Sequence, residues 1–468
     1  GPGPSCVLGI DLGTTSVKAA LVTGTERGLA LAQSCCRETR AHSESLGAAP
    51  QGMEQDVQKI IKALNECLAA LPQQQLQRVT HIGISGQMHG VVFWKSDKGC
   101  KWSESGTGPA FEPEQVSPLV TWQDGRCSPT FLTSLPLPQS HVSLATGFGC
   151  ATIYWYLKNS PDFLKAYDAA GTIQDLQIQD YVVAMLCDLK KPLMSVQNAG
   201  SWGYFNCRSK SWNTDILKKS GFPVHLLPEV GDPGSIAGRT TCAWHGIPKG
   251  AKVGIALGDF QCSVYSCLTE RTDAVLNIST SAQLTISMPL GFQPPEAPDP
   301  SSAVTYFPYF NGDYLAVAAS LNGGNVLATF VGMVAQWAQE LGFQVQESAI
   351  YPRIIQAALA QKHSKLSVHP TLFGERHLPE LLASVSGIGA SELSLGHVTR
   401  ALCRGLVENL CSMLPVQQLG ELGVRRVLGS GSALARNEVL RQEVERIFPF
   451  PVVYGKDVDA AVGAAMVM

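Results

Sequence analysis

Short apolar runs that stop at glycine, aspartate and hydroxyl residues recur along this chain. Cys6-Val7-Leu8 leads into Gly9-Ile10-Asp11-Leu12-Gly13-Thr14-Thr15-Ser16-Val17-Lys18-Ala19, and Ala20-Leu21-Val22 follows. Two apolar runs joined by Asp, Gly and hydroxyl residues predict strand, tight turn, strand. Val57, Ile60, Ile61, Leu64, Cys67, Leu68 and Leu71 recur at helical spacing and predict an amphipathic helix over 55–71. Val79 to Ser85 predicts a strand that ends in Gly86-Gln87-Met88-His89-Gly90, and a Gly/Pro/Glu-rich loop is expected from Ser103 to Pro118. Helices are predicted over 153–168 and from Asp180, a cleft-lining loop over Ser195 to Trp202, and a strand from Lys252 that ends in Gly258-Asp259. Then the opening pattern returns in 274–286, whose Val275-Leu276-Asn277-Ile278 echoes Val7-Leu8-Gly9-Ile10. Beyond it, helices are predicted from Leu321-Asn322-Gly323-Gly324-Asn325-Val326 to Leu341, over Val398 to Leu414, and over Val439 to Ile447 after Asn437.

One hairpin repeated after about 265 residues predicts two related domains, each giving a turn to a shared cleft. Chance likeness of short apolar hairpins is the alternative, since only the first tip carries an Asp. A length of 468 residues independently favours two domains. Composition is that of a globular protein, 45% hydrophobic and 16% charged, and a net charge of -3 argues against nucleic acid or an anionic membrane surface as the main partner. No apolar run is long enough for a membrane span. The start, Gly1-Pro2-Gly3-Pro4-Ser5, lacks an apolar h-region and is expected to be a tag remnant or trimmed end. Fourteen cysteines without a C-x-x-C spacing predict reduced thiols and a cytoplasmic location, and the ten histidines form no metal-ligand spacing with them.

Five stretches carry candidate chemistry. The Gly13-Thr14-Thr15 turn offers backbone N–H groups and hydroxyls to a phosphate, and Asp11 at the strand end can organise Mg²⁺ through its waters; an ordinary Asp/Gly hairpin is the alternative. Gln87, Met88 and His89 at a strand end offer hydrogen bonds and an apolar contact to a small polar ligand, although a lone His89 more often serves structure. Trp122-Gln123-Asp124-Gly125-Arg126 sets an aromatic wall beside a carboxylate and a guanidinium, which suits a polyhydroxylated ligand; a surface Asp124–Arg126 pair is the plainer reading. Asp259, at the carboxyl end of an apolar strand, is placed to accept a hydroxyl proton, or merely to cap the helix that follows. Gly429-Ser430-Gly431-Ser432 with Asn437 makes a nucleotide platform but lacks the third glycine of a dinucleotide fingerprint.

In this order, D-L-G-T-T-S-V-K, S-G-Q-M-H-G, W-Q-D-G-R, G-D, a second hydroxyl-rich turn and G-S-G-S-A with Asn, the chain resembles the FGGY carbohydrate kinases over essentially its whole length. The resemblance implies an α/β fold of two RNase H-like (actin/hexokinase-type) domains flanking a catalytic cleft, with a sugar-binding domain over 1–268 and a nucleotide-binding domain over 269–468. It implies ATP and Mg²⁺ as cofactors and a ketose as substrate, seven-carbon first and five-carbon as the alternative, in a monomer or homodimer. Asp11 would organise Mg²⁺, and Thr14, Thr15, Lys18 and Thr280 would face phosphates. Gln87, Met88, His89, Trp122, Asp124 and Arg126 would hold the ketose, and Asp259 would be the base. Gly323, Gly324, Gly429, Gly431, Ser432 and Asn437 would surround the nucleotide. Three departures stand out: Phe260 follows Asp259 where relatives carry an amide, which makes the pocket wall greasier; Gln123 replaces an Asn; and Thr152 stands where a lysine is usual. The 172–180 segment is also long and polar. A silent sensor on the same fold, or an actin-like chaperone ATPase, is disfavoured because the base candidate, both turns and the Gln-Met-His cluster are present.

Overall fold

A computed structural model describes residues 3–25, 28–44, 49, 51–167, 173–455 and 457–468. Expectations that fall on Gly1, Pro2, Asp168 and Thr172 lie outside the described residues. The elements that position the site are, in chain order, β1 (Cys6–Leu12), β2 (Ser16–Thr25), β3 (Gly28–Glu38), α1 (Val57–Ala70), β4 (Val79–Gly86), α2 (Ile178–Cys187), α3 (Val196–Gly200), β5 (Ile236–Arg239), β6 (Lys252–Gly254), β7 (Leu257–Gly258) and α4 (Asp259–Cys267). They continue with β8 (Asp273–Ile278), β9 (Ala282–Ser287), β10 (Val304–Pro308), β11 (Tyr314–Ser320), α5 (Gly324–Glu340), α6 (Leu395–Met413), β12 (Arg426–Ser430), α7 (Glu438–Ile447), β13 (Val452–Tyr454) and α8 (Ala460–Val467).

These strands make two sheets. The first runs β5-β6-β4-β1-β2-β3 with β7 also paired to β4, and the second runs β10-β11-β9-β8-β12-β13. Each has at its centre an antiparallel hairpin, β1-β2 or β8-β9, extended by a further antiparallel strand, β3 or β11. On the other side of that hairpin, parallel strands follow, β4 and β6 or β12 and β13. The hairpin echo read from 274–286 is therefore part of a duplicated topology, in which β3-β2-β1-β4-β6 and β11-β9-β8-β12-β13 follow one order and the remaining strands differ.

Central parallel strands covered on both faces are apolar throughout. In β1, Cys6, Leu8, Ile10 and Leu12 are fully buried. The α1 helix covers the sheet with the face foreseen from its spacing: Val57, Ile60, Ile61, Leu64, Cys67 and Leu68 are inward, and Asp56 caps it by accepting from the Gln58 N–H.

Three local expectations change, and one long-range packing was not foreseen. Residues 195–202 form no open loop; their centre is the wholly buried α3, started by the Ser195 side chain accepting from the Asn198 N–H. The helical run near 153–168 divides into Gly149–Asn159 and Pro161–Tyr167, because Pro161 has no N–H to continue the first ladder. The expected loop from Ser103 holds a hairpin of Cys100–Ser105 and Gly108–Pro113. Finally, α8 follows the last strand of the second sheet yet packs on β1, β4 and α4 of the first. The first lobe thus has a layer supplied from the far end of the chain.

Candidate active site

In the first lobe, β1, β4 and β7 are parallel and end level: Asp11 and Leu257 both lie opposite Ser85, and Leu12 and Gly258 both lie opposite Gly86. Asp11, the Gln87-Met88-His89 run and Asp259 consequently leave one edge of one sheet, the carboxyl edge where α/β folds bind ligands. Asp259 is the first residue of α4, whose cap is Gly258, so it does not cap the helix itself. Burial and the neighbouring Asp259 push Asp11 up to about 8, with Asp459 adding to the shift and the Ser85 hydroxyl and Lys18 opposing it. Ser85 Oγ donates to Asp11 Oδ1 at 3.2 Å. Burial raises Asp259 to about 6, opposed by the N–H groups of Phe260 and of Asp259 itself. Such a carboxylate is ionised at neutral pH and basic enough to receive a proton in a transition state.

Gln87 turns out to brace the first turn. Its Nε2 donates to Gln55 Oε1 at 3.0 Å, and Gln55 Nε2 donates to the Thr14 carbonyl at 2.8 Å. The Gln87 Oε1 atom is buried and has no partner within the protein. Met88 lies against Gly258, immediately before the base candidate. His89 is held in a left-handed backbone conformation, φ 83°, with its ring stacked on Phe148 at 4.6 Å. Its Nδ1 lies 2.8 Å from the Ser201 carbonyl, which only accepts, so the proton is on Nδ1 and Nε2 keeps its lone pair. Burial lowers His89 to about 4, which keeps the ring neutral.

Trp122 is 38% exposed and donates from Nε1 to Thr14 Oγ1 at 2.9 Å, placing an aromatic face beside the turn. Asp124 and Arg126 depart from expectation. Asp124 is fully buried and makes a two-bond pair with Arg126, Oδ1 to Nε at 2.8 Å and Oδ2 to Nη2 at 2.9 Å. The remaining capacity of that carboxylate is taken by the N–H groups of Met53 and Arg126. Arg126 Nη1 donates to the Tyr156 hydroxyl at 3.0 Å, and its guanidinium lies over the Trp155 ring. With the Asp124 carboxylate saturated and both side chains enclosed, this pair fixes the loop that presents Trp122, and Asp124 keeps no lone pair for a ligand.

The second lobe repeats the arrangement without the carboxylate. Thr280 is exposed at the tip of the β8-β9 turn, as Thr15 is at the first. Gly324 N–H donates to the Ser279 carbonyl at 2.7 Å and Asn325 N–H to the Thr280 carbonyl at 3.1 Å, which seats the start of α5 on that turn. Asn277 Nδ2 donates to Ser430 Oγ at 3.1 Å, tying in the end of β12. Gly431 adopts φ 103° against the Ile278 backbone, where a side chain would clash, and delivers Ser432 exposed beside the turn. Gly323 and Gly429 are buried where Cβ atoms would press on Ser281 and the Tyr454 ring. Asn437 corrects the expectation: it is fully buried, its Oδ1 accepts from the Leu440 N–H at 3.0 Å to cap α7, and its Nδ2 points to Cys403 Sγ. It leaves no face for a nucleotide.

Several site-forming residues escaped the sequence reading. Asp459 caps α8 and pairs with Lys18. Its signal was an Asp directly before the small apolar run Ala460-Ala461-Val462-Gly463-Ala464-Ala465. Gln197 on α3 accepts from the Gly258 N–H at 3.1 Å and donates to the Tyr309 carbonyl of the second lobe at 2.7 Å, and no local pattern marks it. Phe260 meets Phe307 of β10, ring centroids 5.1 Å apart, so the residue after the base also touches the second lobe. Thr152 is buried with its hydroxyl unpartnered, and nothing in the structure explains it.

The model of the FGGY family of carbohydrate kinases, N-terminal domain, matches residues 6–265. Sedoheptulokinase from Mus musculus is 66% identical over 464 residues, covering 98% of this chain and 96% of that protein. The chain belongs to the FGGY family of carbohydrate kinases. Sedoheptulokinase from Homo sapiens is 65% identical over 466 residues, with 98% and 96% covered. Among solved structures, xylulose kinase from Rhodospirillum rubrum superposes with a TM-score of 0.79 at 19% identity, covering 99% of this chain and 89% of that one. Plasmodium falciparum glycerol kinase with ADP gives 0.73 at 16%, with 99% and 89% covered. As an FGGY kinase the chain has the α/β fold of two RNase H-like, actin/hexokinase-type domains, and it is a phosphotransferase with an alcohol acceptor, using a sugar and ATP. Among the described residues no helix is long and apolar enough to cross a membrane.

Proposed function

We propose that this FGGY kinase transfers the γ-phosphoryl group of MgATP to the terminal primary hydroxyl of sedoheptulose, releasing sedoheptulose 7-phosphate and ADP. The observation that carries the substrate is the 66% identity to mouse sedoheptulokinase across nearly the whole of both chains. At 24% identity, the xylulose kinase of Bacillus subtilis supports a five-carbon ketose far less.

In this reading the sugar lies against the first lobe, with Trp122 as its stacking wall and His89 Nε2 accepting from one hydroxyl. Phe260 supplies an apolar edge, and Asp259 accepts the proton of the attacking hydroxyl. Nucleotide phosphates lie between the two turns, where Thr14, Thr15, Lys18, Thr280 and Ser432 offer donors, and Gly323, Gly324, Gly429 and Gly431, packed on Ser281, Ser279, Tyr454 and Ile278, hold the chain close around them. Asp11 would hold Mg²⁺ through its waters: the Asp259 and Asp459 carboxylates both act on Asp11 and Lys18 opposes them, so negative charge gathers at this turn, while among the described residues no three such groups stand close enough to grip an ion directly. When bound, that ion neutralises phosphate charge. We assign sugar binding to 1–268 and nucleotide binding to 269–468, with α8 completing the first lobe. All fourteen cysteines are free thiols, in keeping with a reducing cytoplasmic setting.

The test is ADP release by purified protein with MgATP across ketoses of four to seven carbons. The expected result is highest kcat/KM on the seven-carbon ketose. A higher value on a five-carbon ketose overturns the substrate, and tight sugar binding without ADP release overturns the kinase reading in favour of a sensor.

A further inference from the structure

Resting on that kinase reading, we propose that Asp459 is a positioning residue for phosphoryl transfer: its carboxylate holds the Lys18 ammonium beside Asp11, at the turn where the phosphates arrive. Lys18 lies directly across from Asp11 in the β1-β2 pair, so both side chains stand on one face of the sheet. The Lys18 Nζ reaches Asp459 Oδ2, with the two side chains 32% and 19% exposed. A lysine stem has many rotamers, and one ion-pair partner of fixed position selects among them.

Asp459 has such a position. Its Oδ1 accepts from the Val462 N–H at 3.1 Å to cap α8, and its own N–H donates to Ser266 Oγ at 3.0 Å on α4, the helix that Asp259 begins. The α8 helix is itself wedged by close backbone contact at three points, two on the first sheet and one on α4. Side chains at Gly9, Gly83 and Gly463 would overlap the carbonyls of Ala461, Ala464 and Cys262 respectively. The strand that carries Asp11 and the helix that Asp259 begins are thus referenced to the same eight-residue helix, and Asp459 is its first polar contact. This residue also lies where the chain returns from β13 of the second lobe to the first, so the setting of Lys18 depends on how the two lobes are joined.

Asp459→Asn separates this role from capping, because Asn caps a helix as well as Asp does. The expected result is about a tenfold loss in kcat/KM for MgATP, the scale of one charge-assisted hydrogen bond, with the ketose KM and the melting temperature unchanged. Asp459→Glu should recover part of the loss. In a Lys18→Met background, Asp459→Asn should cost nothing further. MgATP affinity measured by calorimetry without sugar should weaken in Asp459→Asn and be insensitive to it once Lys18 is Met, which tests Asp459 whatever ketose is used. Wild-type affinity and rates in Asp459→Asn, losses that multiply with those of Lys18→Met, or losses that track a lowered melting temperature would each overturn the proposal. Absence of ADP release by the wild type on every ketose would instead overturn the kinase reading.

Discussion

Replacing Asp259 by Asn removes the proton acceptor and little else, since the amide is nearly isosteric and the start of α4 keeps its Gly258 cap. General-base assistance is worth about 10²- to 10⁴-fold, so kcat should fall by that factor, equivalent to roughly 3–5 kcal/mol of transition-state stabilisation. The wild-type pH profile gives an independent measure. With Asp259 near 6, almost all of the enzyme carries the ionised base at pH 7.5, and about a tenth does at pH 5, so kcat/KM for the ketose should drop about tenfold between them. Stability should not mimic this loss. An Asp raised to about 6 in the fold, against 3.8 when free, destabilises the fold as it ionises between about pH 4 and pH 6; a neutral Asn escapes that cost, so the variant should melt no lower than wild type at pH 7.5. The assay is ketose-dependent ADP release from pH 5 to 8.5 for both proteins, with melting curves at each pH. Asp259→Asn activity within tenfold of wild type, or a wild-type profile flat through pH 6, would refute the role of Asp259 as base.

Asp124→Asn leaves Arg126 enclosed with only Glu54 Oε2, 3.5 Å away, for charge compensation. Breaking a buried pair from one side costs about 3–5 kcal/mol, and Glu54 places this case near 3, expected as a fall of roughly 6–12 °C in the melting of the first lobe; a shift below 2 °C by calorimetry would show that the pair is not structural. His89, lowered to about 4 by burial, stays neutral across the working range, so the ketose KM should be flat from pH 6 to 9 and should rise only toward pH 4. A KM that climbs as pH falls through 6.5 would contradict that tautomer argument, and His89→Ala should raise the ketose KM about tenfold by removing an acceptor. Phe260→Asn puts back the amide that relatives carry after the base and should move the five- to seven-carbon ratio of kcat/KM toward the shorter ketose by about tenfold, read from the same ADP assay.

Local pattern was enough for the turns and the strands that feed them. An apolar run ending in Gly-Asp announces a strand edge wherever it occurs, because strand burial and turn chemistry are both set within about ten residues. Hence Asp11, His89 and Asp259 could be singled out before any fold was known, and the hairpin at 274–286 could be matched to the first. Side-chain duty was less legible. Gln87 and Asn437 have residue types that serve ligands and structure equally, and only the fold shows that Asn437 is spent on the Leu440 N–H while Gln87 braces Gln55 with its Nε2 and keeps its Oε1 unpartnered within the protein.

What the sequence determined by itself was the duplicated strand-turn-strand plan, the carboxylates at the strand ends and the family whose order of motifs it follows, since each is written in contiguous residues. What tertiary structure alone decided was which groups stay free for chemistry. Whether Asp124 meets a sugar or Arg126 depends on burial and on the saturation of its lone pairs. Whether Lys18 floats or is tethered depends on Asp459, 441 residues further along the chain. Pairings of that separation arise only when the last helix packs back onto the first sheet, and no periodicity within either segment encodes the meeting.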